Sequence, residues 1–173
     1  TIHPLLKNNI EEIENIRQQF FFISRLTHSH IAPPILLHPV KSVELYDEEI
    51  RRDLHVYPGD FIMILKYAPG VTLSKWTKQF PKQFVPVEKA IDICRQVASA
   101  LDYAHFEGII HRDIKPSNIM VETRGNNTAF IRVLDFGLAA EIRSSMSRVS
   151  TEQGDTSGTR PYMAPEQWQG KRQ

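Results

Sequence analysis

Cysteine is all but absent: Cys94 is the single thiol in 173 residues. No internal disulfide can form, and this usage agrees with a reducing, cytosolic compartment. An excess of charge is missing too, because 21 Lys and Arg stand against 20 Asp and Glu for a net charge of +1. Composition therefore gives no electrostatic case for nucleic acid or an anionic membrane as partner. The longest apolar runs, residues 20–23 and 61–65, fall far short of the roughly 20 residues that span a bilayer. The first residues include Pro4 and Lys7 and no extended apolar core of a secretory signal. There is no internal repeat and no low-complexity tract. What is present, 41% apolar and 24% charged residues, is the balance of one globular domain with a real core.

The most informative stretch is residues 111–118, HRDIKPSN. It sets an acid, a base and an amide between Ile109-Ile110 and Ile119-Met120-Val121, a pattern that predicts a polar loop held between two short strands. Seventeen residues after Asn118 comes Asp135-Phe136-Gly137, following the aliphatic run Phe130, Ile131, Val133, Leu134, and further on stands Ala164-Pro165-Glu166. In this order and spacing, HRDxKxxN, DFG and APE resemble the catalytic half of eukaryotic-like protein kinases, and Lys115 within the first motif is similar to the serine/threonine branch.

The resemblance implies roles. Phosphoryl transfer needs in-line positioning of the acceptor and neutralised phosphate charge, with little covalent work for the protein. Asp113 would accept or orient the proton of the substrate hydroxyl, and Lys115 would steady the transferring phosphate. Asn118 and Asp135 would offer hard oxygen ligands to Mg²⁺, and Gly137 would let the chain turn behind Asp135. Taken singly, Asp113 and Asp135 read as ordinary turn-capping acids; the joint pattern reverses that reading.

In the amino-terminal part, Asn9 and Glu12 form a capping-box pattern. Ile10, Ile13, Ile16 or Arg17, Phe20 and Ile23 recur at helical spacing, which predicts an amphipathic helix over residues 10–26. The resemblance makes this the movable helix of the small lobe, whose glutamate pairs with a lysine on the third strand. Counted back from Thr27-His28-Ser29-His30-Ile31, the glutamate's place falls on Gln19, a departure that removes one charge of the pair; in a shifted register Glu14, more than a turn earlier, would take that place. The partner lysine and the glycine-rich phosphate loop would precede Thr1. His28 and His30 read as a polar helix exit rather than a metal pair, since no further ligand set has suitable spacing.

Residues 35–37 are expected as the fourth strand of the family. Residues 41–60 are expected as a charged surface insertion ending in the turn Tyr57-Pro58-Gly59-Asp60. Residues 61–65 read as a strong strand running into the hinge. The resemblance puts Leu65 at the gatekeeper position and the backbone of Lys66 and Ala68 against adenine, with Met120 as the floor beneath it. Thr72 or Ser74 is expected to cap a short helix through Phe80 with Trp76 buried. From Pro86 a helix carries Val87, Ala90, Ile91, Cys94, Val97, Ala98, Leu101 and Ala104 on one apolar face, stopped by Gly108. On that reading Cys94 is a buried structural thiol. Residues 119–121 and 130–134 are expected to pair as a hairpin across Gly125-Asn126-Asn127, bringing Asn118 and Asp135 to one edge of a cleft.

The segment between Asp135 and Glu166 is rich in hydroxyls and resembles an activation loop. Arg112 places the chain among kinases whose loop is ordered by a phosphate pairing with that arginine. The usual phosphorylated position falls near Asp155, beside Thr156 and Ser157. Either Asp155 stands in for a phosphate or one of its neighbours carries one. Thr159, in Gly158-Thr159-Arg160-Pro161-Tyr162, resembles the threonine that touches the catalytic aspartate, and the run through Gln167-Trp168 is similar to bacterial members.

The expectation is therefore an α+β, protein kinase-like two-lobed fold, incomplete in the first strands of the small lobe and the last helices of the large one. Residues 1–65 form part of the small lobe, 66–70 the hinge and 71–173 part of the large lobe. The implied function is ATP- and Mg²⁺-dependent phosphorylation of serine or threonine on protein substrates, with autophosphorylation possible and a cytoplasmic setting, any membrane anchor lying outside these residues. A pseudokinase with a scaffolding or nucleotide-sensing role is the alternative, raised by Gln19. A small-molecule phosphotransferase is disfavoured by the APE segment.

Overall fold

In the computed structural model, residues 10–39, 61–136, 160–163 and 165 are described. The first element, α1 (Ile10–Ser24), follows its apolar spacing: Ile16 and Ile23 are buried, and Ile13 and Phe20 pack beside them. Burying each isoleucine contributes about 1.5–3 kcal/mol. The helix tightens at its end, with Arg25 N donating to Phe22 O and Leu26 N to Ile23 O at 3.3 and 3.1 Å, the short-range bonds that occupy terminal carbonyls.

Two antiparallel strands follow, β1 (Pro34–Pro39) and β2 (Phe61–Leu65), in register Leu37 with Met63 and irregular between Pro34 and Leu36. The expected insertion at 41–60 lies outside the described residues. Beyond β2 the short β3 (Val71–Thr72) pairs with β4 (Ile119–Arg124), which pairs with β5 (Thr128–Val133), giving the antiparallel order β3-β4-β5. Period-two alternation buries Ile119 and Val121 on β4 and Ala129, Ile131 and Val133 on β5. Asn126 and Asn127 take φ of 59° and 57° at the hairpin tip, a conformation asparagine tolerates.

Between β3 and the β4–β5 hairpin lie two α-helices. In α2 (Leu73–Trp76), Thr72 caps the first turn by accepting from Lys75 N at 3.3 Å. Trp76 is buried, edge-on to Phe80 at 4.7 Å, as the sequence suggests. The long α3 (Val87–Phe106) corrects the expected face. The covered stripe is Ile93, Ala100 and Ala104, with Val97 and Leu101 beside it. Val87, Ile91 and Cys94 are exposed, and with Val85, Ala90, Arg95 and Ala98 they line an open groove of about 480 Å³. Two apolar stripes adjoin on this helix about 100° apart, and periodicity alone cannot say which one the core covers.

The end of α3 is a Schellman cap: Ile109 N donates to Ala104 O at 2.8 Å and Gly108 N to His105 O at 2.9 Å, with Gly108 at φ 76°. That cap corrects another expectation. The Ile109 N–H is spent on the helix end, and Ile109-Ile110 leave the helix as irregular chain and not as a strand. Among the described residues no helix is long and apolar enough to cross a membrane.

Candidate active site

Residues 111–118 connect the α3 cap to β4, and their polar groups close on one another. Asp113 is buried at 3% exposure, a costly place for a carboxylate unless it is paired. Lys115 Nζ lies 2.9 Å from its Oδ2. Asn118, also buried, donates through Nδ2 to Asp113 O at 2.9 Å and to Oδ2 at 3.2 Å. Both contacted atoms are acceptors, so the amide orientation is determined, and the carbonyl oxygen Oδ1 is the atom Asn118 can offer to a cation. Pro116 opens the one-turn 3-10 helix Pro116–Asn118, closed by Asn118 N donating to Lys115 O at 2.9 Å, and this turn aims Asn118 back at Asp113.

The end of β5 is tied to this loop by backbone. Leu134 N donates to Asn118 O at 2.8 Å, and His111 Nε2 donates to Leu134 O at 2.8 Å. Asp113 N donates to His111 Nδ1 at 3.2 Å. The two roles fix the neutral Nε2–H tautomer. Burial lowers the His111 pKa below its ordinary 6.5, against the opposing pull of the Leu134 carbonyl and the Asp113 charge. Phe136 is buried with its ring 4.6 Å from that of His111. Asp135, half-buried, takes φ 55°, and exposed Arg112 takes φ 63°. Non-glycine residues in this region are strained and cluster where the surroundings over-determine them.

The outer edge of β5 is satisfied without a neighbouring strand. Gln96 of α3 donates through Nε2 to Ala129 O at 2.8 Å and accepts from Ile131 N at 2.9 Å. The His30 ring donates through Nδ1 to Ile131 O at 2.9 Å. Val133 N donates to His30 O at 2.8 Å and Ala32 N to Val133 O at 3.0 Å. The segment after α1 is fastened to α3 as well: Thr27 N donates to Tyr103 Oη at 3.1 Å, and the His28 ring stacks on Tyr103 at 5.3 Å. His28 accepts from His30 N and meets Ser99 Oγ at 3.3 Å. Its pKa is lowered, by burial and then by the nearby His30.

Where β2 ends, Ala68 is buried while Leu65 and Lys66 are exposed, and Lys66 N donates to Pro33 O at 3.3 Å. Met120 pairs with Thr72 and is half-buried. Gly70, at φ 103°, passes so close to β4 that a Cβ there would overlap the Val121 carbonyl. Gln19 is half-buried on α1. Asp155, Thr156, Ser157 and Thr159 lie outside the described residues, as do Gly137 and Glu166.

The structure thus gathers Asp113, Lys115 and Asn118 into one hydrogen-bonded group, with the strand end before Asp135 bonded to it. Sequence reading missed Gln96, Asp92 and Tyr103. The available sign was a glutamine four residues after an aspartate at the margin of an apolar helical face. It also missed Glu122, which bridges Arg124 and Arg132 at 3.0 and 2.9 Å; hydrogen bonds from Arg124 and then Arg132 hold its carboxyl below the usual carboxylate range.

Residues 7–173 match the protein kinase domain family. The chain is 47% identical over 114 residues to the serine/threonine-protein kinase Pkn3 of Myxococcus xanthus, covering 65% of this chain and 20% of that protein. It is 30% identical over 169 residues to the serine/threonine-protein kinase PknD of Mycobacterium tuberculosis, covering 98% of this chain and 22% of that protein. The chain thus spans about a fifth of the length of these relatives. The crystal structure of a cysteine-to-alanine mutant of the PknI kinase domain from Mycobacterium tuberculosis superposes with a TM-score of 0.64 at 22% identity, covering 99% of this chain and 54% of that one, a likeness of fold. A buried acid, lysine and amide held in one loop, bonded to the strand end that carries Asp135, and a family match over nearly every residue lead to one conclusion: this chain belongs to the protein kinase domain family.

Proposed function

We propose that the protein transfers the γ-phosphoryl group of ATP to serine or threonine hydroxyls of protein substrates, with Asp113 as the base. Its family uses ATP and a divalent metal. The observation that carries the reading is the shared hold on Asp113 Oδ2: Lys115 Nζ at 2.9 Å and Asn118 Nδ2 at 3.2 Å. A carboxylate so oriented can take the hydroxyl proton as the acceptor oxygen closes on phosphorus, and in this reading the same lysine turns to the transferring phosphate.

The donor set fits Mg²⁺: the Asn118 oxygen and the Asp135 carboxylate are hard ligands of the kind that leave room for phosphate oxygens and water. When bound, the ion neutralises charge on the phosphates. In this reading Leu65, the backbone of Lys66 and Ala68, and Met120 receive adenine. Arg112 receives a phosphate on Thr156 or Ser157, or the carboxylate of Asp155, and Thr159 abuts Asp113. Autophosphorylation and a cytoplasmic setting complete the proposal.

Acid hydrolysis of protein labelled by the complete chain with γ-labelled ATP tests the reaction class. Phosphoserine and phosphothreonine are expected. Label confined to phosphotyrosine or to a small-molecule ester would overturn the proposal.

A further inference from the structure

We infer that Gln96 is a positioning residue for Asp135, acting through the outer edge of β5. The inference rests on the reading of Asp135 as a metal ligand.

The carboxamide of Gln96 spans Ala129 and Ile131, alternate residues on the side of β5 that β4 does not use, donating to one and accepting from the other. It takes the place of a strand. Its second amide proton goes to Asp92 Oδ2 at 2.9 Å, one turn earlier on α3. A flipped amide would set its oxygen against the Ala129 carbonyl and the Asp92 carboxylate, so one orientation is enforced. His30 and Ala32 continue the ladder to Val133.

Two residues past Val133 stands Asp135 at φ 55°, a conformation that persists only where its neighbours hold it. Gln96 is the contribution of α3 to this ladder. The same helix ends in the cap that leads into His111 and Asp113. One rigid element therefore carries the chain to Asp113 and, through Gln96, fixes the strand that carries Asp135. The spacing between base and metal ligand is set against a common frame.

The test uses the complete protein with Gln96→Glu, which keeps the side-chain shape and removes both amide donors. Calorimetric titration gives the affinity for adenosine, for ATP without Mg²⁺ and for ATP with Mg²⁺. Adenosine binding is expected to match the parent, while the gain in ATP affinity on adding Mg²⁺ shrinks by up to about tenfold, the low end of the loss when a group bonded directly to a metal ligand is removed. The KM for Mg²⁺ in phosphate transfer should rise in parallel. A purely structural role would lower thermal stability and leave the Mg²⁺-dependent gain intact, and that result overturns the inference.

Asp135→Asn is measured alongside. If it keeps the parent's Mg²⁺-dependent gain, the metal-ligand reading falls and the inference with it. If it abolishes the gain while Gln96→Glu does not change it, the positioning role alone is overturned. Should Gln96→Glu fail to bind adenosine, Asp92→Ala carries the same test: it frees the amide to rotate, and a smaller shift in the same direction supports the inference where none contradicts it.

Discussion

His111 donates a 2.8 Å hydrogen bond from Nε2 to the carbonyl of Leu134, joining residues 23 apart in sequence. On its other side the ring accepts the N–H of Asp113. The imidazole thus spaces the loop that carries the acid from the strand end that carries Asp135. It does so only while neutral, because a proton on Nδ1 would remove the acceptor that Asp113 N uses.

Stability should therefore depend on pH through His111. Its pKa is lowered in the folded state from an ordinary value of 6.5, chiefly by burial. The unfolded chain binds the proton more readily, so this contribution is fully present above pH 6.5 and is lost as pH falls from there toward the folded value. Urea midpoints of the complete protein at pH 7.5 and 5.5, beside those of His111→Asn, measure it. The parent should lose more stability between the two pH values than the variant; equal losses would contradict a neutral His111.

Gly70→Ala should destabilise by more than about 1 kcal/mol, since φ 103° is unsuited to an L side chain. The new Cβ would also meet the Val121 carbonyl, which is backbone of a paired strand and cannot swing away. Gly125→Ala meets nothing nearby and should stay within about 0.5 kcal/mol of the parent. Denaturant unfolding of both variants decides. A tolerant Gly70→Ala would mean that the chain at Gly70 does not press on β4.

Asn118→Asp is nearly isosteric, yet it replaces two donated hydrogen bonds by a second carboxylate beside buried Asp113. Paired carboxylates resist double ionisation. The variant should be less stable than the parent at pH 8 and recover part of the deficit at pH 5, where a shared proton becomes available, and its phosphate transfer should fall by roughly 10²-fold or more. A deficit independent of pH would argue that the Asn118 amide does not face the Asp113 carboxylate in solution.

Much of the site is legible in sequence because its parts are local. Asp113, Lys115 and Asn118 lie within six positions, and a single turn opened by Pro116 brings them together. The hairpin of β4 and β5 announces itself through Gly125-Asn126-Asn127 and alternation, so the approach of Asn118 to the strand end before Asp135 could be foreseen. The inward face of α3 could not. Val87, Ile91 and Cys94 differ from Ile93, Val97 and Ala100 by about 100° of rotation, and which stripe is covered depends on elements distant in sequence. The β5 edge was hidden for the same reason: Gln96 and His30 lie 33 and 101 residues from the groups they satisfy.

The central measurement is the initial rate of phosphate transfer from γ-labelled ATP to a basic protein acceptor, comparing the complete parent chain with Asp113→Asn. The substitution keeps the side-chain volume and removes the carboxylate. A fall on the order of 10²-fold or more, with ATP binding retained, is the expected result. Equal measurable rates in the two proteins would contradict Asp113 as the base, and no transfer from a folded parent that binds ATP and Mg²⁺ would contradict phosphoryl transfer itself and leave the domain a binding module.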